Sequence, residues 1–195
     1  MKHRHETEIK LAVKDAKRTR ARLAELGFRP VRPRHFESND LYDFPDQRLR
    51  KARCLLRLRF AGDKGLLTYK GAPTGSRDYK IRREIETEVD DGHRLGEILL
   101  LLGLREVFSY EKFRTEYAPR GKRDVEEAPH VVFDETPVGN YLELEGPQRW
   151  IDEVARQLGY ARRDYITDSY ATLYRKQCEA EGTTPGNMVF PTHES

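Results

Sequence analysis

Residues 5–13 read HETEIKLAV, a stretch in which charged and apolar side chains alternate. Successive side chains of a β-strand point to opposite faces, so this alternation predicts a strand with one charged face and one apolar face. The charged face would carry Glu6, Glu8 and Lys10, and the apolar face Ile9 and Leu11. One such strand fits any sheet with a face in water. The stretch decides the fold because later segments repeat its pattern.

Six further segments combine charged and apolar faces in the same way: LLRLRF (55–60), LLTYKG (66–71), KIRREIETEV (80–89), FSYEKFRTEY (108–117), HVVFDET (130–136) and YLELEG (141–146). Basic residues dominate some of these strands and acidic residues others, whereas a merely soluble surface would mix the two signs. The basic members are Lys10, Arg57, Arg59, Lys70, Lys80, Arg82, Lys112 and Arg114. The acidic members are Glu6, Glu8, Glu84, Glu86, Asp134, Glu143 and Glu145.

Amphipathic segments between the strands predict four helices, at residues 14–26, 92–102, 147–158 and 168–178. The first three end at a Leu-Gly pair, and a strand with a Glu-x-Glu sequence precedes each of them. Strand followed by helix is therefore the predicted unit, with the helices on the outside of a sheet. Residues 29–46 are rich in proline and turn formers, which predicts a short strand followed by a loop. The polar tail, residues 179–195, is expected to be loosely held outside a domain spanning residues 1–178.

Composition excludes several classes of protein. The chain has 195 residues, of which 35% are charged, yet 36 basic and 33 acidic residues leave a net charge of only +3. Such balance does not favour a nucleic-acid binder. Two distant cysteines, Cys54 and Cys178, argue against a disulfide scaffold or a cysteine zinc site and fit a reducing cytoplasm. No apolar segment resembles a signal peptide or is long enough to span a membrane, so we expect a cytoplasmic protein without a membrane partner.

The charged faces allow two interpretations. They could face water on an open antiparallel sheet, or they could line the lumen of a sheet closed into a barrel. A lumen with both signs must hold water and ions, because an isolated buried charge costs several kcal/mol, by rough estimate. Paired carboxylates suit Mg²⁺ or Mn²⁺, and arginine and lysine suit phosphate oxygens. Acids for metal and bases for phosphate in one tunnel predict a triphosphate site.

Seven motifs occur along the chain in a fixed order: Glu6-x-Glu8-x-Lys10, Arg57-x-Arg59, a Thr-Tyr-Lys-Gly ending with Lys70 and Gly71, Arg83-Glu84-x-Glu86, Lys112-x-Arg114, Asp134, and the run from Gly139 to Glu145. In this combination the sequence resembles the CYTH superfamily. That superfamily groups class IV adenylate cyclases with thiamine triphosphatases and inorganic tripolyphosphatases. The resemblance covers about residues 4 to 175.

The resemblance implies an α+β fold, a closed eight-stranded antiparallel β-barrel with helices packed outside and a triphosphate along its axis. It implies Mg²⁺ or Mn²⁺ as cofactor, one ion orienting the phosphates and a second activating the attacking oxygen. The implied metal-binding acids are Glu6, Glu8, Glu143 and Glu145, with Glu84, Glu86 and Asp134 as further acids. The implied phosphate-binding residues are Arg57, Arg59, Lys70, Arg82, Lys112 and Arg114, and the implied catalytic residues are Lys10 and Glu8.

The expected function is metal-dependent hydrolysis of a small triphosphate: tripolyphosphate, thiamine triphosphate or a nucleoside triphosphate. Cyclisation of ATP to cyclic AMP and pyrophosphate is the first alternative. The second is a non-catalytic module that binds polyphosphate or an RNA 5′-triphosphate, although such a module would not need the acidic pairs. The sequence departs from the family pattern at Asp168, where many relatives carry a lysine before Ser-Tyr. A homodimer also stays open.

Overall fold

The computed structural model describes residues 4–61, 64–74, 78–121 and 129–191. Its strands are β1 (Arg4–Val13), β2 (Phe28–Asp43), β3 (Leu55–Ala61), β4 (Lys64–Lys70), β5 (Lys80–Val89), β6 (Arg105–Pro119), β7 (His130–Thr136) and β8 (Gly139–Glu145). Its α-helices are α1 (Ala16–Glu25), α2 (Arg48–Lys51), α3 (Gly92–Leu101), α4 (Gln148–Gln157) and α5 (Tyr170–Glu181), and a 3₁₀ turn covers Arg162–Asp164.

The eight strands form a closed antiparallel barrel, which confirms the predicted fold. Their order around the barrel is β1-β5-β4-β3-β2-β6-β7-β8, and β8 pairs with β1 to close the ring. At this closing pair Glu8 lies opposite Glu145, and Lys10 lies opposite Glu143. Closure brings the charged faces of all the strands to one lumen, because each strand turns the same alternate set of side chains inward.

Apolar side chains form the outer wall of the barrel beneath the helices. Ile9 and Leu11 of β1 are fully buried together with Leu23 of α1 and Ile151 of α4. Leu58 of β3 packs in a second cluster that includes Leu99 of α3. Burial of each such side chain contributes about 1.5–3 kcal/mol, so this outer wall supplies the main apolar core of the fold.

The helices leave part of the outer wall uncovered. Ile85, on the apolar face of β5, is 46% exposed, so the expectation that helices cover the apolar face is wrong at this position. Leu101 at the end of α3 and the adjacent Leu102 are 87% and 67% exposed. The homodimer stays a prediction. None of the helices among the described residues is long and apolar enough to cross a membrane.

The four predicted helices are confirmed as α1, α3, α4 and α5, with ends shifted by up to three residues. Three of them begin at a residue whose side chain accepts a hydrogen bond from a backbone N–H of the first turn. These residues are Asp15, Asp91 and Ser169. Such caps satisfy N–H groups that have no partner within the helix, and they fix where each helix starts.

Strand β2 is much longer than the short strand predicted within residues 29–46. It runs without interruption for 16 residues despite Pro30 and Pro33. The proline half pairs with β6 alone, because pairing with β3 begins only at Ser38. Proline is tolerated where one edge of a strand lacks a partner, and the pairing of this half also contains two register shifts. The long strand carries further side chains into the lumen.

The C-terminal tail also differs from expectation. The Met188 N–H donates to the carbonyl of Ser109 at 3.0 Å, and the Glu111 N–H donates to the carbonyl of Met188 at 2.9 Å. The Met188 side chain is fully buried. The prediction of a loosely held tail is therefore wrong for this segment, whose docking depends on tertiary contacts with β6. Residues 192–195 lie outside the described residues.

Asp152 of α4 joins three elements on the outside of the barrel. Its carboxylate accepts hydrogen bonds from the hydroxyl of Tyr79, from the hydroxyl of Tyr165 at 3.0 Å and from Nη2 of Arg162 at 2.6 Å. Asp152→Ala is expected to lower the free energy of unfolding by about 2 kcal/mol, because it removes a charged acceptor from two tyrosine hydroxyls and an arginine. Urea denaturation followed by circular dichroism measures the change.

The neighbouring variant Glu153→Ala is the matched control. Glu153 is half exposed and pairs with Arg156 of its own helix at 2.7 Å. Its loss should change stability by less than about 0.5 kcal/mol. Equal stability of the two variants would contradict the role given to Asp152.

Candidate active site

The lumen of the barrel contains a cavity of about 1060 Å³. All the predicted site residues except Asp134 line this cavity: Glu6, Glu8, Lys10, Arg57, Arg59, Lys70, Arg82, Glu84, Glu86, Lys112, Arg114, Glu143 and Glu145. Lys80, which the strand pattern placed on the same face, lines it too. These residues come from six strands, and Arg32 of β2 and Val132 of β7 also line the cavity, so all eight strands contribute side chains to one space, as the closed-barrel interpretation requires.

A group of acids and lysines on β1, β4 and β5 forms one side of the cavity. The ammonium group of Lys70 lies 2.5 Å from Glu6 and 3.0 Å from Glu84. Burial, reinforced by a hydrogen bond to Glu6 and opposed by Lys70, raises the pKa of Glu84 to about 9. Burial also opposes ionisation of Glu6, but the charge of Lys70 together with hydrogen bonds from Glu84 and Lys70 outweighs burial and lowers the pKa of Glu6. Glu84 therefore holds a proton at neutral pH beside an ionised partner.

Lys10 and Lys80 flank Glu8. The Lys80 ammonium group lies 2.7 Å from the Glu8 carboxylate, and the Lys10 ammonium group lies 3.4 Å from it. Lys10 also pairs with Glu143 at 3.1 Å. Burial opposes the charge on Lys10, but Glu143 and Glu8 outweigh burial and raise the Lys10 pKa above its usual value. Lys10 therefore stays charged at neutral pH, and it can attract a phosphate oxygen but cannot act as a base.

Arg114 and Lys112 project from β6 and share an acid. Arg114 donates to both oxygens of Asp134, at 2.7 and 2.6 Å, and its Nη2 also donates to Glu143 at 2.6 Å. Lys112 donates to Asp134 at 2.9 Å, and the hydroxyl of Tyr170 donates to the same Asp134 carboxylate at 2.7 Å. Burial opposes the charge of Arg114, but the adjacent carboxylates raise its pKa well above the usual value. Two cations are thus fixed in direction by one buried carboxylate.

The sequence model of the CYTH domain family matches residues 4–170, most of the chain. This chain belongs to the CYTH family. It is 31% identical over 178 residues to a protein of Methanocaldococcus jannaschii that carries the name of a candidate adenylate cyclase, with 86% of this chain and 97% of the relative covered.

Solved structures share the CYTH barrel. A Vibrio parahaemolyticus protein described as a candidate adenylate cyclase superposes with a TM-score of 0.74 at 19% identity, covering 88% of this chain and 98% of that one. A Pyrococcus horikoshii protein superposes with a TM-score of 0.72 at 24% identity, covering 88% of this chain and 99% of that one. A Hippeastrum protein is described as a candidate adenylyl cyclase with a dominant triphosphatase activity. It superposes with a TM-score of 0.59 at 18% identity, covering 92% of this chain and 97% of that one.

Asp134 occupies a different place from the other acids predicted for this CYTH protein. It is fully buried and does not border the cavity. Its two oxygens accept four hydrogen bonds from Lys112, Arg114 and Tyr170. Asp134 therefore positions cations from behind the cavity wall, and it is joined to Glu143, one of the predicted metal-binding acids, through Nη2 of Arg114, which donates to both carboxylates. Within the described ranges, no three His, Cys, Asp or Glu side chains are already arranged to hold a metal ion.

Sequence reasoning missed two fully buried polar residues of β2, Glu37 and Asn39. Nε of Arg59 donates to Oδ1 of Asn39 at 2.9 Å, and Arg59 pairs with Glu37 at 3.3 Å. Lys112 lies 3.5 Å from the same Glu37. Both residues lie in the short strand predicted within residues 29–46, and their positions two residues apart, on one face, were the available signal. These two residues orient predicted phosphate-binding cations of the CYTH cavity.

Two arginines of the cavity each have a buried N–H group that donates no hydrogen bond among the described residues. Nε of Arg57 and Nε of Arg82 are buried and find no hydrogen-bond partner within the part of the chain that the structure describes. The Arg57 guanidinium also lies 3.1 Å from the Thr68 hydroxyl and 3.4 Å from the Tyr110 hydroxyl. A buried donor without an acceptor costs about 1–3 kcal/mol. An anion that accepted from these groups would recover part of that cost, and both side chains line the CYTH cavity.

Proposed function

We propose that this CYTH protein is a divalent-metal-dependent hydrolase of a small triphosphate. The observation that carries the proposal is the single cavity, in which the six predicted phosphate-binding cations and six predicted metal-binding acids all form part of the wall. Arginine forks and lysine ammonium groups match phosphate oxygens, and carboxylates match Mg²⁺ or Mn²⁺.

The charge of the cavity supports the need for metal. Nine basic and eight acidic side chains line it, a surplus of one positive charge when each is counted at its formal charge. A triphosphate carries several negative charges near neutral pH, so these side chains cannot neutralise it alone. Divalent cations bound together with the substrate would restore the balance, and we therefore expect affinity for tripolyphosphate to depend on metal.

The acids of the cavity have the chemistry to hold such ions. Glu6 and Glu84 share a hydrogen bond, and a divalent ion can take the place of the proton that Glu84 holds. Glu8 lies opposite Glu145 on the neighbouring strand, which supplies a second group of hard oxygen donors. When bound, Mg²⁺ or Mn²⁺ would polarise the phosphoryl group and lower the pKa of a bound water. We expect these four residues to hold metal. Glu84 thus replaces Glu143 in the set implied by the resemblance, because Glu143 pairs with Lys10 and Arg114. Glu86 and Glu143 are further candidates.

The basic side chains would exchange partners when substrate enters. Without a ligand, Lys70 and Lys80 pair with carboxylates of the cavity wall. Phosphate oxygens compete for these ammonium groups, and each exchange leaves a carboxylate free for a metal ion. Lys10 keeps its charge and would stabilise negative charge that develops on the reacting phosphate. Nε and Nη2 of Arg114 both donate to Asp134, so Arg114 would present a guanidinium group of fixed orientation to the substrate.

Cyclisation of ATP is the second candidate function. It is favoured by the 31% identical relative, which carries the name of a candidate adenylate cyclase. A cyclase also needs a pocket for adenine, and nucleoside pockets are lined mainly by apolar and aromatic side chains. The apolar and aromatic side chains that line this cavity are Leu55, Leu66, Val132, Tyr110 and Tyr170, whereas 17 of its 25 lining residues are charged. The cavity therefore favours the phosphate chain over the nucleoside as the recognised group, which supports hydrolysis.

One assay separates these functions. The purified protein is supplied with Mg²⁺ or Mn²⁺ and offered tripolyphosphate, thiamine triphosphate, ATP or an RNA 5′-triphosphate, and the products are resolved by ion-exchange chromatography. Release of orthophosphate supports the hydrolase. Pyrophosphate with cyclic AMP would identify a cyclase, and tight binding without turnover would identify a binding module. A Glu8→Gln variant prepared in the same way excludes a contaminating phosphatase, and chelation of the metal should abolish turnover.

Arg59→Ala is expected to weaken substrate binding. It removes a charged donor of the cavity, and hydrogen bonds to charged groups contribute about 1.5–3 kcal/mol. KM for tripolyphosphate should therefore rise by about 10-fold or more, with kcat changed by less than about threefold. Initial rates at fixed free Mg²⁺ measure both constants.

Arg156→Ala, on the exposed side of α4, is the control for Arg59→Ala. The Arg156 side chain is 72% exposed and lies outside the barrel, so its loss should leave both constants unchanged. A fall in kcat at constant KM in the Arg59 variant would show that Arg59 acts on the chemical step and would contradict the binding role.

A further inference from the structure

Residues 187–190 extend the hydrogen bonding of β6 beyond the reach of β7. Pairing between β6 and β7 begins at Phe113, so the preceding part of β6 has a free edge on that side. Met188 occupies this edge as an isolated parallel bridge to Tyr110. The side chain of Asn187 accepts from the Ser109 N–H at 3.0 Å, and the ring of Phe190 lies 5.3 Å from that of Phe113. The segment therefore completes the wall of the barrel at this point.

The Met188 side chain supports two tyrosines that line the cavity. Met188 is fully buried in one apolar cluster with Tyr110 of β6 and Tyr170 of α5. The rings of Tyr110 and Tyr170 lie 6.1 Å apart. Both tyrosines border the cavity, whereas Met188 packs behind them. Their positions consequently depend on a residue that lies outside the predicted domain boundary.

Tyr170 contacts the phosphate-binding residues through its hydroxyl and its ring. The hydroxyl donates to Oδ2 of Asp134 at 2.7 Å, the oxygen that also accepts from Lys112 and Arg114. Nζ of Lys112 lies 5.3 Å from the centre of the Tyr170 ring, and Nζ of Lys10 lies 5.2 Å from it. A cation at this distance is attracted by the ring face. Tyr170 thus restrains the carboxylate that orients two cations and also contacts one of those cations directly.

We propose that Tyr170 is a positioning residue for the phosphate-binding side chains of Lys112 and Arg114, and that Met188 holds Tyr170 in place. The expected change in substrate affinity rests on the proposed function, because it requires Lys112 and Arg114 to bind the triphosphate. The expected change in the orientation of these two side chains does not depend on any substrate. Loss of the hydroxyl leaves Asp134 with one donor fewer and lets the guanidinium group of Arg114 reorient.

The test compares Tyr170→Phe with Tyr141→Phe. Tyr141 packs against Tyr170, but its hydroxyl donates to the carbonyl of Val138 and not to Asp134. The first readout is the ¹H–¹⁵N signal of Arg114 Nε, whose proton is protected by Asp134 and can be observed without substrate. We expect this signal to shift and exchange faster in Tyr170→Phe only. An unchanged signal in both variants would overturn the proposal.

The second readout is kinetic. Tyr170→Phe should raise KM for tripolyphosphate by up to about 10-fold, because Lys112 and Arg114 are no longer held in one orientation before the substrate binds, with kcat changed by less than about threefold. A change in kcat alone would also overturn the proposal. If the wild-type protein neither binds nor hydrolyses any triphosphate, the proposed function fails, while the Arg114 signal still decides whether Tyr170 positions the cation.

Variants of Met188 test the second half of the proposal. Met188→Ala should change the Arg114 signal in the same direction as Tyr170→Phe, and Met188→Leu should restore the wild-type signal because it refills the volume. Val189→Ala is the matched control, since Val189 is the next residue and is 43% exposed. If Met188→Ala and Val189→Ala give the same Arg114 signal, Met188 does not hold Tyr170.

Discussion

Glu8→Gln is expected to lower kcat for triphosphate hydrolysis by about 10²- to 10³-fold, the usual loss when one electrostatic contact to a transition state is removed. Burial disfavours the charge on Glu8, but Lys10 and Lys80 outweigh burial and hold its pKa well below the usual value. Glu8 is therefore an anion at neutral pH. Glutamine keeps the shape but has no charge for a divalent ion. Initial rates at saturating tripolyphosphate, measured over a range of Mn²⁺ concentrations, give the change.

A loss of activity in Glu8→Gln must be separated from a loss of fold. Glu8 is buried, and its replacement leaves two lysines with one carboxylate fewer. Thermal unfolding should therefore be recorded first, and rates taken well below the midpoint. Glu25→Gln, on the exposed side of α1, removes the same charge without contact to the cavity and should retain full activity. A Glu8 variant with near-normal kcat at every Mn²⁺ concentration would remove the metal role proposed for Glu8.

The inward side chains of most strands could be predicted from the sequence because strand alternation is a local property. Arg57 and Arg59 face the cavity while Leu58 between them is fully buried on the outer side. The same holds on β8, where Glu143 and Glu145 line the cavity and Leu144 belongs to the outer core. No knowledge of neighbouring strands is needed for this. Strand alternation alone does not predict that the sheet closes into a barrel. That prediction also required the charged faces of all the strands to meet in one lumen.

Features that depend on distant partners could not be predicted from local patterns. The full length of β2 was missed because its proline-containing half is stable only where β6 pairs with it and β3 does not. Met188 lies in a polar, glycine-containing tail, and its burial depends on an edge that β7 leaves free. Asp134 was placed correctly on an inward face but grouped with the metal-binding acids. Its role depends on how far inward Lys112, Arg114 and Tyr170 reach, which sequence spacing does not give.

Asp134→Asn is expected to lower the free energy of unfolding by about 3–5 kcal/mol, the usual cost of removing one partner from a buried ion pair. Asp134 is fully buried between Lys112 and Arg114, and asparagine keeps its shape but loses its charge. The two cations would then rely on Glu37, at 3.5 Å from Lys112, and on Glu143, at 2.6 Å from Arg114. Guanidinium denaturation of the purified variant measures the loss.

A second substitution tests whether the uncompensated cation causes this loss. Lys112→Met removes the buried ammonium group and nearly preserves the length of the side chain, so the double variant should regain part of the stability lost by Asp134→Asn. Residues in one ion-pair network typically show coupling energies of about 0.5–3 kcal/mol, and a value in this range is expected here. Strictly additive effects would mean that Asp134 stabilises the barrel independently of Lys112. The substitution at Asp134 should also raise KM for tripolyphosphate, because Arg114 loses the carboxylate that fixes its direction.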